Sequence, residues 1–120
     1  MKKNQGWIKV FRKMTDSSIW DTDEPYDKRS AWVDLLLSVN HEDREIILGN
    51  DTLHVHKGQR FTSVRKLSEH WNWSKNKTLA YLRQLEALGM ITRDGTHSGT
   101  LLTIVNYSVY QSGRDTKGDT

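Results

Sequence analysis

The feature that most constrains this chain is a gap of three residues. Val64, Leu67 and Trp71 form one apolar stripe and Thr78, Tyr81, Leu82 and Leu85 another. The first has i, i+3, i+7 spacing and the second i, i+3, i+4, i+7, both of them the pattern of an amphipathic helix. Only Asn72-Trp73-Ser74 lies between the two segments, so the second helix must start against the first. Thr62 or Ser63 is the predicted N-cap of the first helix, which runs to about Trp71. Ser74 is the predicted N-cap of a longer helix reaching Leu88, because a hydroxyl there accepts from an otherwise free amide. Gly89 stands where a left-handed C-cap is expected. Two β-prone runs follow, Met90-Ile91-Thr92-Arg93 and Leu101-Leu102-Thr103-Ile104-Val105, around the polar, Gly-containing tip 94–99. Helix, tight turn, helix and hairpin in that order describe a winged helix-turn-helix.

The rest of the chain is assigned by the same rules. Trp7, Val10, Phe11 and Met14 have helical spacing, which predicts a short amphipathic helix over 7–14. Ile19 and Trp20 are expected to tuck back onto the core. Residues 21–27, with the one proline at 25, read as an acidic loop. Asp27 is the predicted N-cap of a helix over 28–39 with the stripe Ala31, Trp32, Leu35, Leu36 and Val39. Runs 45–48 and 52–56 predict a hairpin, Phe61 the start of a third strand, and Tyr107-Ser108-Val109-Tyr110 a last turn. The fold class is therefore α+β, mainly α: a winged helix-turn-helix with an extra N-terminal helix and a β-hairpin. Residues 1–111 are read as one domain and 112–120 as a flexible tail or the start of a linker.

Charge gives this frame a direction. The net charge is only +3, but it is segregated. Residues 1–14 carry five bases and no acid, residues 15–45 sum to −6, and residues 46–97, which hold both helices and the wing, sum to +4. A polarised surface of this kind favours contact with phosphates. The second helix opens with Ser74-Lys75-Asn76-Lys77, which combines backbone amides at a positive dipole end with two ammonium groups and an amide. Dipole and lysines favour phosphate, and Asn76 has the groups to pair with adenine in a major groove. Arg83, on the outward side, can address guanine or phosphate. Thr62, Ser63, Arg65 and Lys66 on the first helix, and Arg93, Thr96 and His97 on the wing, complete the predicted contact set for double-stranded DNA. Leu79 falls off the stripe and is read either as a contact to a thymine methyl or as buried against the first helix.

Other chemistries are weaker. The chain has no cysteine, which removes disulfides, thiol nucleophiles and Cys-based zinc sites. No Gly-rich phosphate loop or nucleophile–base pair is visible, so no enzyme, cofactor or small-molecule substrate is expected. His54 and His56 alternate onto one strand face near His41-Glu42-Asp43 and are read as surface histidines rather than a metal site. Asp21, Asp23, Glu24 and Asp27 lack the glycine and terminal glutamate of a calcium loop. The five tryptophans fall at or beside apolar positions, so core packing is expected of them rather than base stacking. No apolar run approaches the ~18 residues a membrane span needs, and a cytoplasmic location is expected.

These residues also carry a resemblance. Gly6-Trp7-Ile8-Lys9-Val10 with Trp20, Asp27-Lys28-Arg29-Ser30-Ala31-Trp32, Gly58-Gln59 and Ser63-Val64-Arg65-Lys66-Leu67 resemble the N-terminal domain of phage replisome-organiser proteins. So do Trp73-Ser74-Lys75-Asn76-Lys77, Leu85-Glu86-Ala87-Leu88-Gly89-Met90-Ile91 and Thr103-Ile104-Val105-Asn106-Tyr107. These are the DnaD-like initiation proteins of Gram-positive bacteria, their phages and plasmids. The resemblance spans residues 6–111 and implies a winged helix that binds origin DNA, self-associates as a homodimer or higher oligomer, and works with replication proteins. Where members often have further basic residues, this helix has Leu79 and Ala80. Two alternatives share the same residues: a primosomal oligomerisation module pairing basic 1–14 with acidic 16–27, and a winged-helix transcriptional regulator.

Overall fold

A computed structural model describes residues 10, 12–20, 22–96 and 99–112 of the chain. Each of its three longer helices begins at a side chain that takes up a free amide. Asp27 Oδ1 accepts from the Ser30 N–H at 2.7 Å and opens α1, Lys28–Ser38. Ser63 Oγ accepts from Lys66 N–H at 3.1 Å ahead of α2, Val64–Trp71, and Ser74 Oγ from Lys77 N–H at 3.1 Å ahead of α3, Lys75–Ala87. Of the two candidates for the α2 cap, Ser63 is the one used.

The helix ends are equally local. Asn72 takes the left-handed conformation (φ 58°), and Trp73 N–H returns to the Ser68 carbonyl at 2.9 Å. After α3, Gly89 does the same (φ 74°), with its N–H on the Glu86 carbonyl and Met90 N–H on Leu85. Both are Schellman closures, which satisfy carbonyls that the last turn leaves open. The α2–α3 seam is built from small polar groups: Ser68 Oγ donates to Val64 O at 2.6 Å and lies 2.9 Å from Thr78 Oγ1, which bonds to Ser74 O. Small, satisfied residues let the two helices approach closely at no hydrogen-bonding cost.

Five strands form two antiparallel sheets. β1 (Arg44–Leu48) and β2 (Asp51–Val55) make a hairpin in which Arg44 faces Val55 and Leu48 faces Asp51. β3 (Gln59–Thr62), β4 (Ile91–Thr96) and β5 (Gly99–Ile104) form a second sheet in the order β3-β5-β4. A 3-10 helix over Arg12–Asp16 precedes α1, and α4 (Tyr107–Ser112) follows the last strand. The fold is α+β. Among the described residues no helix is long and apolar enough to cross a membrane.

The core lies where α1, α2 and α3 meet the three-stranded sheet. Leu35, Leu67, Trp71, Leu82, Ile91 and Leu102 are its largest fully buried apolar side chains within one cluster. Trp71, Trp73 and Tyr81 pack as an aromatic trio with ring centroids 5.0–5.8 Å apart. Their polar atoms are all used. Trp71 Nε1 donates to the buried Asp34 at 2.9 Å, Trp73 Nε1 to Tyr26 O at 2.7 Å, and the Tyr81 hydroxyl to Lys28 O at 2.8 Å. Burial, with a smaller push from Asp27, raises the Tyr81 phenol to about 12, so it remains a donor. Gly58 sits at φ 81°, and a Cβ there would lie 2.7 Å from Tyr107 Cβ. Its backbone links α1 to the sheet through Asn40 O and the Ile104 N–H.

Several expectations change. Half of the helix expected over 7–14 falls outside the described residues, and Arg12–Asp16 is 3-10 helix. Ile19 is 90% exposed rather than tucked inward, whereas Trp20 is half-buried with its ring edge-on to Tyr26. β3 begins at Gln59, two residues before Phe61, and 107–110 belongs to a helix rather than a turn. Strands β4 and β5 pair as far as Thr96 and Gly99, within the stretch 94–99 expected to be loop. The tail 113–120 lies outside the described residues.

Candidate nucleic-acid interface

Helical geometry sorts the side chains of α3. Thr78, Tyr81, Leu82 and Leu85 face the core, which leaves Asn76, Ala80, Arg83 and Ala87 on the opposite, exposed stripe. Its two flanks are tied to neighbouring elements. On one side Lys28 of α1 donates to Gln84 Oε1 at 3.0 Å, and Lys77 Nζ lies 4.4 Å from the centre of the Trp73 ring. On the other, Glu86 holds Arg93 of β4 at 2.8 Å. The stripe is therefore presented by a helix fixed along both edges.

The expected contact residues divide by what their side chains bond to. Lys66, Lys75, Asn76 and Arg83 are exposed and make no ion pair or side-chain hydrogen bond among the described residues. Ser63 and Ser74 spend their hydroxyl oxygens on capping, yet each marks a helix start whose remaining amides point outward. A second group is engaged within the molecule. Arg65 pairs with Glu69 at 3.3 Å one turn along α2, an exposed contact of small energy. Arg93 is 18% exposed and bound to Glu86. Lys77 covers Trp73, a cation–π contact. Thr96 Oγ1 bonds to the Gly99 backbone and closes the wing.

Thr62 departs from expectation. It is 3% exposed, paired with Thr100 in the sheet, and its hydroxyl has no hydrogen-bond partner among the described residues. Placed inside the sheet, it cannot reach a phosphate. His97 lies outside the described residues. Leu79 is half-buried, between the two readings given for it. Lys28, Gln84 and Glu86 fix the edges of this face without having been expected to, because each acts through a partner on another element and leaves no local signal; Trp73, one turn before Lys77, was expected only to pack.

A separate open cleft of about 620 Å³ lies between the 3-10 helix, α1, the β1–β2 hairpin and β3, and no residue of α3 lines it. Arg12, Arg44 and Arg60 stand around it with Asp34 and His70. Arg12 is bonded inward to Leu37 O and the Tyr107 hydroxyl, so this basic residue of the N-terminal segment holds the fold together. No family model, curated protein or solved structure matches this chain; the functional reading rests on the geometry and the sequence pattern.

Proposed function

We propose that the chain is a winged helix-turn-helix domain that binds double-stranded DNA through α3. The observation that carries the reading is one of order and pairing. β3, α2, α3 and the β4–β5 hairpin follow one another, with β5 between β3 and β4. In that arrangement α2 and the sheet brace α3, and its exposed stripe is free to enter a major groove. Lys75 and Lys66 meet phosphates, Asn76 and Arg83 are aimed at base edges, and the wing tracks the adjacent backbone. The amides at the start of α3 add a positive dipole end. Ala80 in the middle of the stripe permits close approach and supplies no charge, so affinity is modest and strongly salt-dependent.

The resemblance to DnaD-like replisome organisers makes origin DNA the target and replication proteins, with further copies of the chain, the partners. On this reading the domain is a binding module with no catalytic step. Fluorescence anisotropy with a labelled duplex tests it. Duplex binding stronger than single-strand binding is expected, weakened by Lys75→Ala with Lys77→Ala, with a shallower salt dependence. An unchanged salt slope in a variant of unaltered circular dichroism removes α3 from the interface.

A further inference from the structure

The hairpin β1–β2 carries a second cluster, on the face opposite Ile46, Leu53 and Val55. In an antiparallel pair, residues opposite each other project to the same side. Glu45 faces His54 in the register, and beyond the terminal Arg44–Val55 pair Asp43 lies beside His56. The four side chains thus form two adjacent His–carboxylate pairs. His54 Nδ1 lies 3.7 Å from Glu45 Oε2 and His56 Nδ1 3.7 Å from Asp43 Oδ1. The two imidazoles are 4.5 Å apart between centroids. One ligand atom each from Asp43, His54 and His56 lie within 4.8 Å of one another.

We propose that this face of the hairpin binds a divalent first-row transition ion such as zinc, with His54, His56 and Asp43 as ligands and Glu45 beside the fourth position. Two imidazoles with a carboxylate suit such ions and disfavour calcium or magnesium, which take oxygen donors. Bonds of about 2.0–2.1 Å in a tetrahedron place ligand atoms roughly 3.4 Å apart. The longest of these separations therefore contracts by up to about 1.4 Å, which side-chain rotation supplies because both imidazoles are more than half exposed. The carboxylate is already fixed: Asp43 Oδ1 accepts the Lys57 N–H at 2.9 Å, and this bond holds its pKa below the ordinary aspartate value. On the other strand, Gln59 Oε1 accepts the His56 N–H at 2.8 Å. An isolated two-stranded hairpin is marginally stable, so a bound ion bridging both strands would order this element.

The test is a titration of the whole chain with zinc chloride alone, followed by calorimetry and by the histidine ring resonances. One equivalent is expected to bind and to shift the His54 and His56 rings while leaving His41 in place. His54→Ala with His56→Ala abolishes this, Asp43→Asn weakens it about tenfold or more, and His41→Ala leaves it intact. Amide exchange within 44–55 slows on addition of zinc, and calcium chloride at the same concentration has no effect. No saturable zinc binding, binding retained by the double-histidine variant, or an equal response to calcium overturns the proposal. None of these readouts depends on DNA.

Discussion

Replacing Glu86 by glutamine should make DNA binding more salt-sensitive, and by a definite amount. Six cations were expected at the interface: Arg65, Lys66, Lys75, Lys77, Arg83 and Arg93. Arg65 and Arg93 are paired with Glu69 and Glu86, and Lys77 rests on Trp73. Counting all three as withheld, with the exposed Arg65–Glu69 pair the weakest of them, leaves Lys66, Lys75 and Arg83 to displace counterions. Each neutralised phosphate contributes about −0.9 to the slope of log K against log salt. Three contacts give about −2.7 and six about −5.4, so a fourfold rise in salt costs about 40-fold in the first case and about 1,800-fold in the second. Glu86→Gln keeps the shape of the side chain, removes its charge and releases Arg93, moving the slope to about −3.6; Lys75→Ala moves it to about −1.8. Anisotropy of a labelled duplex at four or five salt concentrations resolves these values. A parent slope steeper than about −4 would mean that the pairs open on DNA. A Glu86→Gln slope equal to the parent's, with Lys75→Ala still shallower, would refute the claim that Glu86 withholds Arg93.

Other outcomes concern the frame that holds α3. Ser74→Ala removes the hydroxyl that accepts Lys77 N–H and should cost about 1 kcal/mol in urea denaturation, with Ser74→Asp restoring it. Gly58→Ala forces a side chain into a left-handed backbone position and against Tyr107; a loss of more than about 1 kcal/mol is expected, and a neutral result would place Tyr107 elsewhere. Asp27 has its pKa lowered from 3.8, chiefly by the Ser30 N–H and then by the Ser30 side chain. Its stabilising share is therefore present above about 3.8 and is lost as pH falls through the lower folded value. Urea midpoints measured down through that window should fall more steeply for the parent than for Asp27→Asn.

What was legible in the sequence was the chemistry that acts over one turn of chain. Asp27, Ser63 and Ser74 cap helices because a short oxygen reaches an amide three residues on, and Gly89 closes α3 because it accepts a left-handed backbone. Those interactions need no partner from elsewhere, so residue type and position disclose them. The strand ends were less legible. Thr62 looked like a helix-start hydroxyl, but pairing of β3 with β5, about forty residues on, buried it. Ile19 fits the apolar pattern yet stands at the surface, and nothing in the described structure explains why.

The same distinction bears on charge. Summing residues 46–97 gives +4, and the sum suggests a strongly basic face. A sum cannot register that Arg93 on β4 reaches back to Glu86 on α3, or that Lys77 folds over Trp73. The Arg93 contact depends on how α3 is seated against β4 and neutralises a cation at the face that would meet DNA, whereas the Lys77 contact is local and redirects its ammonium without neutralising it. Segment charge is therefore an upper bound on the field presented to a phosphate backbone. The cations left over, Lys66 on α2 with Lys75 and Arg83 on α3, are few and spread over two helices. On the proposed reading, that distribution would hold a duplex loosely wherever it lands and leave discrimination to the side chains on the exposed stripe. If the chain binds DNA as proposed, tight binding at physiological salt would then call for several copies acting together on one DNA, since linked sites multiply a modest affinity without any new contact.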